Sequence, residues 1–153
     1  MKGIWNFSRA AKTSWFVFFA AIVTAPGGAH AQAQIVFNNS NIAAVENGPT
    51  QATVFQLTAQ TMLVRIMTYH WNYGRGALPG SIAIRSSTGQ FFGPWQAMGQ
   101  PGQGGVPNAY WFIMPNVGLP PGVYTIVDSD PATWAQNGGT GGIVDFTAAR
   151  NIT

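Results

Sequence analysis

Met62-Leu63-Val64-Arg65-Ile66-Met67-Thr68-Tyr69 is a run without a single turn former, and it is apolar on both faces of a two-residue alternation. Met62, Val64 and Ile66 fall on one face, and Leu63, Met67 and Tyr69 fall with Arg65 on the other. That pattern predicts a central strand covered on both sides, with Arg65 near an edge or beside a polar partner. Outward from it, short apolar runs recur about every ten residues, separated by Gly, Pro, Asn and Ser. The expected strands are 34–38, 42–45, 53–58, 62–69, 81–85, 91–95, 109–114, 123–128 and 142–147. In 81–85, Ile82 and Ile84 point inward, and Ser81, Ala83 and Arg85 point outward. Leu119-Pro120-Pro121-Gly122 supplies a turn before 123–128. Glu and Lys, the usual residues of exposed helix faces, are almost missing. Nine short strands in one domain imply two packed sheets. The expected fold is therefore all-β: an antiparallel two-sheet sandwich, jelly-roll-like, with at most one short helical turn. That turn is placed after Asp130, which precedes Pro131 as an N-cap would, in a segment ending at Asn137-Gly138.

The first 31 residues read differently, as a cleavable signal peptide. Lys2, Arg9 and Lys12 form a basic region, residues 15–23 form a short apolar one, and Ala29-His30-Ala31 supplies the small residues of a cleavage site. Ala31-Gln32-Ala33 fits the same rule, so the cut is expected after Ala31 or Ala33. The apolar run is shorter than the ~20 residues of a membrane span. Residues 32–153 then form one domain, secreted or periplasmic. The chain's formal charge of +3 belongs to the leader, because Arg65, Arg75, Arg85 and Arg150 balance Glu46, Asp128, Asp130 and Asp145. A domain without net charge has no electrostatic footprint for nucleic acid or an anionic membrane. Cysteine is absent, which rules out disulfides, zinc–thiolate sites and thiol catalysis.

Aromatic and polar residues gather in four phrases: Tyr69-His70-Trp71-Asn72-Tyr73, Gly93-Pro94-Trp95-Gln96, Asn108-Ala109-Tyr110-Trp111, and the segment from Asp130 to Trp134. A pyranose stacks its apolar face on an indole or phenol ring, and its hydroxyls pair with amides and carboxylates. On that ground Trp71, Tyr73, Trp95, Tyr110, Trp111 and Trp134 are candidate stacking faces. His70, Asn72, Asp128 and Asp130 are candidate polar contacts. The plainer reading for any one of these Trp residues is core packing, with Trp71 as the exception because it follows a strand among turn residues. Asp128-Ser129-Asp130 is the one close carboxylate pair, and calcium is the one cofactor it would suit. Two oxygens fall short of the six to eight that calcium takes, and an Asx-turn with a helix cap explains both. Catalytic groupings are incomplete. No G-x-S-x-G elbow accompanies His70, and Asp128 and Asp130 lie too close in sequence to flank a sugar from opposite sides. The glycines around Arg75 and at 102–105 lack the context of a phosphate loop.

The string Tyr69-His70-Trp71-Asn72-Tyr73-Gly74-Arg75-Gly76, with Gly93-Pro94-Trp95, Asn108-Ala109-Tyr110-Trp111 and Asp128-Ser129-Asp130-Pro131-Ala132-Thr133-Trp134, resembles a group of poorly characterised exported bacterial β-sandwich domains. The resemblance runs from about Ile35 to Gly138. It implies fold and location and carries over no activity. The expected function is a non-catalytic binding module for carbohydrate or another cell-surface polymer. The alternative is a structural or self-associating protein, a homo-oligomer, and a hydrolase comes third. A sugar binder should expose at least three of the named rings on one contiguous surface, and a hydrolase should set His70 against a carboxylate and an exposed hydroxyl within about 3 Å.

Overall fold

The computed structural model describes residues 33–40, 44–138 and 141–149. The leader expected over 1–31 lies outside the described residues, as do 42 and 43 of the strand expected at 42–45, whose described residues 44 and 45 carry no strand. Among the described residues twelve strands form: β1 (Ala33–Asn38), β2 (Glu46–Asn47), β3 (Val54–Leu57), β4 (Thr61–Tyr69), β5 (Ser81–Ser86), β6 (Phe91–Gln96), β7 (Met98–Gln100), β8 (Tyr110–Ile113), β9 (Val117–Leu119), β10 (Gly122–Asp128), β11 (Ala135–Gln136) and β12 (Val144–Ala149). Every pairing is antiparallel.

One sheet runs β1-β12-β4-β8-β7, and β9 shares the far edge of β4 with β8. The other runs β3-β10-β5-β6, and β2 and β11 make a small separate ribbon. β8 and β9 act as one strand along β4, interrupted at 114–116, where Asn116 takes a φ of 45°. β6 and β7 likewise follow one another across Ala97, the first paired in the second sheet and the next in the first. Merging these two pairs and setting the β2–β11 ribbon aside leaves eight strands, ordered 1-8-3-6 in one sheet, with the second half of strand 5 at its edge, and 2-7-4-5 in the other. This is the double Greek key of a jelly roll.

β4 is central, with β12 on one side and β8 and β9 on the other. The simple alternation expected for it does not run its full length. Leu63 and Ile66 are both fully buried, while Met62 is exposed. The register against β12 skips Val64, because Leu63 pairs with Ala148 and Arg65 pairs with Thr147. Such a β-bulge resets which residues face inward. From Ile66 onward the alternation is regular: Ile66, Thr68 and then His70 face the second sheet, and Arg65, Met67 and Tyr69 face out.

Between the sheets lie Leu63, Ile66, Val144 and Phe146 from one side and Phe55, Leu57, Ile82, Ile84 and Ile126 from the other. Phe146 meets Phe55 at 4.6 Å and Phe37 at 5.5 Å, and Phe55 stacks on Tyr124 at 5.5 Å. The segment after Asp130 makes a single turn, with the N–H groups of Thr133 and Trp134 both donating to the Asp130 carbonyl at 3.2 Å. It then leaves as β11 because Trp134 is drawn inward, its Nε1 donating to the Ile143 carbonyl at 2.9 Å. The indole lies against Gly142, where a Cβ would collide with the ring. Two further single turns of 3₁₀ type occur at Asn72–Gly74 and Gln103–Gly105.

Candidate functional site

Two aromatic-and-carboxylate assemblies flank the same end of β4, one inside the sandwich and one outside it. The inner one starts at His70, which continues the inward phase of Ile66 and Thr68 and has no exposed surface. Its backbone N–H donates to the Ala109 carbonyl at 2.6 Å, and its ring lies on Trp111 at 3.7 Å and 17°. Nε2 stands 3.1 Å from Oδ2 of Asp128, at the end of β10, and 3.1 Å from the Thr68 hydroxyl. Thr68 donates to the same Asp128 oxygen at 3.0 Å. Nδ1 stands 2.9 Å from the Thr133 hydroxyl, which donates to Oδ2 of Asp130 at 2.7 Å. Asp128 Oδ1 accepts from the Asp130 backbone N–H at 2.8 Å, closing an Asx-turn.

Asp128, His70 and Thr133 thus stand in the carboxylate–imidazole–hydroxyl order of a nucleophilic triad. The surroundings differ from such a site. His70 is sealed beneath Trp111, and the Thr133 hydroxyl is held by Asp130. Trp111 is itself buried, its Nε1 donating to the Ala77 carbonyl at 3.0 Å. Three of the four quoted phrases meet here, through His70, through Ala109 and Trp111, and through Asp130 and Thr133. Both Asp128 oxygens and one from Asp130 already accept hydrogen bonds within the chain. Among the described residues no three His, Cys, Asp or Glu side chains gather as metal ligands.

The outer assembly begins with the residues that the same alternation turns outward. Tyr69 and Tyr110 are directly paired across β4 and β8, their rings 5.0 Å apart. Met67 is paired with Asp145 across β4 and β12. On this outer side Tyr69, Ala109, Ala135 and Ile143 form a second small apolar cluster, against which Val45, Trp71 and Tyr110 pack. The β2–β11 ribbon holds that cluster in place, with the Ile143 N–H donating to the Ala135 carbonyl at 2.8 Å. Beside it opens a cleft of about 630 Å³, whose walls include Val45, Met67, Tyr69, Trp71, Tyr110, Ile143 and Asp145.

Asp145 is the ionisable carboxylate of this cleft. Its Oδ2 accepts from the Asn38 amide at a long 3.4 Å, and its Oδ1 is shielded from solvent with no hydrogen-bond partner. Burial pushes the Asp145 carboxyl above its ordinary range, and Arg65 draws it partly back. Arg65 itself lies over the Phe112 ring at 5.6 Å and donates to Met67 Sδ at 3.4 Å. The Tyr69 phenol is pushed up by burial, with Tyr110 adding to the effect.

The ten expected site residues fall into several places. Trp71 and Tyr110 line the cleft, and Tyr73, which is exposed, lies 6.4 Å from Trp71 ring to ring. His70, Trp111, Asp128 and Trp134 are interior, and Asp130 borders the network through Thr133. Asn72 holds its loop, accepting from the Asn47 amide at 3.0 Å and donating to the Gly76 carbonyl at 2.9 Å. Trp95 belongs to the other sheet, paired with Ile82. Of the six rings named as stacking faces, Tyr73 alone is strongly exposed, Trp71, Trp95 and Tyr110 are half-buried, and Trp111 and Trp134 are covered. Tyr69, Met67 and Asp145 were not among the expected site residues. The signal for Asp145 is its position between Val144 and Phe146, a carboxylate out of phase with two inward apolar side chains.

No protein-family model, curated protein or solved structure matches the chain. Fold and site together define a class: a jelly-roll sandwich with a hydrogen-bonded histidine sealed in one end and an aromatic cleft with a carboxylate on the outer face beside it. Among the described residues no helix is long and apolar enough to cross a membrane.

Proposed function

We propose that this is an exported, non-catalytic module that binds carbohydrate, or another cell-surface polymer of similar chemistry, through the outer cleft. The observation that carries the reading is the set of Tyr69, Trp71, Tyr110 and Asp145 on the walls of one cleft. Its volume of about 630 Å³ lies in the range of small-ligand sites, roughly 300–1,000 Å³. Aromatic walls with a carboxylate and the polar side chains of Ser40 and Gln103 suit a sugar ring, whose faces are apolar and whose rim is all donors and acceptors. Trp71 is half-buried and beside the opening, so its fluorescence should report an occupant. A saturable change with a defined glycan, lost in Trp71→Ala and Tyr110→Ala, is the expected result. Binding that survives both substitutions would remove the cleft from consideration.

A second reading, self-association, has an observation of its own. The outer face of the β3-β10-β5-β6 sheet carries exposed Val54, Val123, Val127 and Phe91, with Arg85 among them. Flat apolar sheet faces of this kind favour association. Sedimentation of the protein against Val127→Lys tests it, since a self-associating protein should lose mass on that substitution.

A further inference from the structure

We infer that the cleft selects a cationic amine, so that the sugar it takes is a deacetylated amino sugar; this rests on the outer cleft being the binding site. Three independent observations converge on the charge of the ligand. The first is Asp145 Oδ1, which has no hydrogen-bond partner, while Oδ2 has only the distant Asn38 amide. A carboxylate this poorly satisfied within the chain gains from a donor that reaches it from the cleft, whose wall it helps to form. The second is the state of the nearby cation. Arg65 is engaged by the Phe112 ring and by Met67 Sδ, and it makes no ion pair within 4.0 Å with Asp145. After residue 32 the chain contains no lysine, so no ammonium of its own competes for this carboxylate.

The third observation is the wall itself. Tyr69 and Tyr110 stand 5.0 Å apart on the outer face, and Trp71 lines the same cleft. Aromatic faces attract a cation through their quadrupole, and they do so best where water is excluded. A hydroxyl would satisfy the Asp145 oxygen as a hydrogen-bond donor but would leave its charge uncompensated. An ammonium donates, neutralises and meets the rings at once. An N-acetyl group in its place offers one weaker donor and adds bulk beside Met67 and Ile143, which also line the cleft.

The test uses three β-linked oligosaccharides of equal length, built from glucosamine, N-acetylglucosamine and glucose, titrated by calorimetry at a pH where the amine is charged. The glucosamine oligomer should bind about tenfold tighter or more than either neutral one, in keeping with hydrogen bonds to charged groups. Asp145→Asn should bring all three to a similar, weaker affinity, and added salt should narrow the gap in the unsubstituted protein. Equal binding of the three by the unsubstituted protein, or a preference that survives Asp145→Asn, overturns the amine assignment and leaves the cleft reading standing. Absence of binding to all three, or binding indifferent to Trp71→Ala, overturns both.

Discussion

The inside and the outside of β4 near Tyr69 are built from the same kinds of residue and treat them in opposite ways. Inside, His70, Asp128, Thr68, Thr133 and Asp130 share protons until every facing atom has a partner. Outside, Asp145 keeps one oxygen shielded and without a partner at the wall of an open cleft. Buried polar groups in folded proteins are satisfied as a rule, so a complete network marks a structural device and an incomplete one marks a place prepared for something else. The residues that look most like catalytic machinery by type are the ones that hold the fold closed. The less conspicuous carboxylate, one strand over, is the one left short of partners.

The contrast can be broken at its strong side first. His70→Ala or Asp128→Asn leaves a partner unpaired in the interior, and each should lower unfolding free energy by about 3–5 kcal/mol in urea denaturation. A loss under ~1 kcal/mol in both would mean that the inner network is not what seals this end of the sandwich. Gly142→Ala forces a methyl group against the Trp134 indole and should cost about 1–3 kcal/mol by the same measurement. Trp71→Ala removes a half-buried ring at the cleft and should leave stability within ~1 kcal/mol while abolishing the glycan-induced fluorescence change. A collapse of stability there would instead make Trp71 a packing residue.

Asp145→Asn should be the smallest change and the most informative. Burial holds the folded-state pKa of Asp145 above its ordinary value of 3.8, so the unfolded chain gives up this proton first. Stability associated with the neutral carboxyl is therefore present below 3.8 and drains away as pH rises through the raised folded-state value. The Asn variant does not suffer that loss. Its melting temperature should exceed that of the parent by about a degree at pH 7, with the gain gone at pH 3. A variant that gains stability as it loses ligand is what a binding carboxylate predicts. A loss of stability at neutral pH would move Asp145 to the structural side of the comparison.

Much of this was legible in the sequence, and the illegible part has definite causes. Eight of the nine expected strands correspond to the eight strands of the jelly roll, because each is long enough to show alternation or a continuous apolar run. β2, β7, β9 and β11 are two or three residues long, too short for any period to register. The bulge at Val64 is silent because Met62, Leu63 and Val64 are all apolar, so the sequence reads equally well in either phase. The partnership of His70 with Asp128 spans 58 residues, and only the order of strands brings them together. The grouping of candidate residues was more avoidable. Tyr110 and Trp111 are consecutive on a strand, so only one of them can face out, and the buried one is Trp111. The same step from His70 to Trp71 passes from the sealed interior to the cleft.

The pairing of β1 with β12 alone carries one more consequence, for the time order of folding. Ala33 lies opposite Ala149, and Asn38 lies opposite Asp145. Among the described residues no other strand borders β1, so it has nowhere to dock until β12 is present. Contacts this remote in sequence must close a very large loop before they return anything, which places such topologies among the slow folders. The sandwich cannot assemble progressively behind a growing chain. The edge where β1 meets β12 closes late.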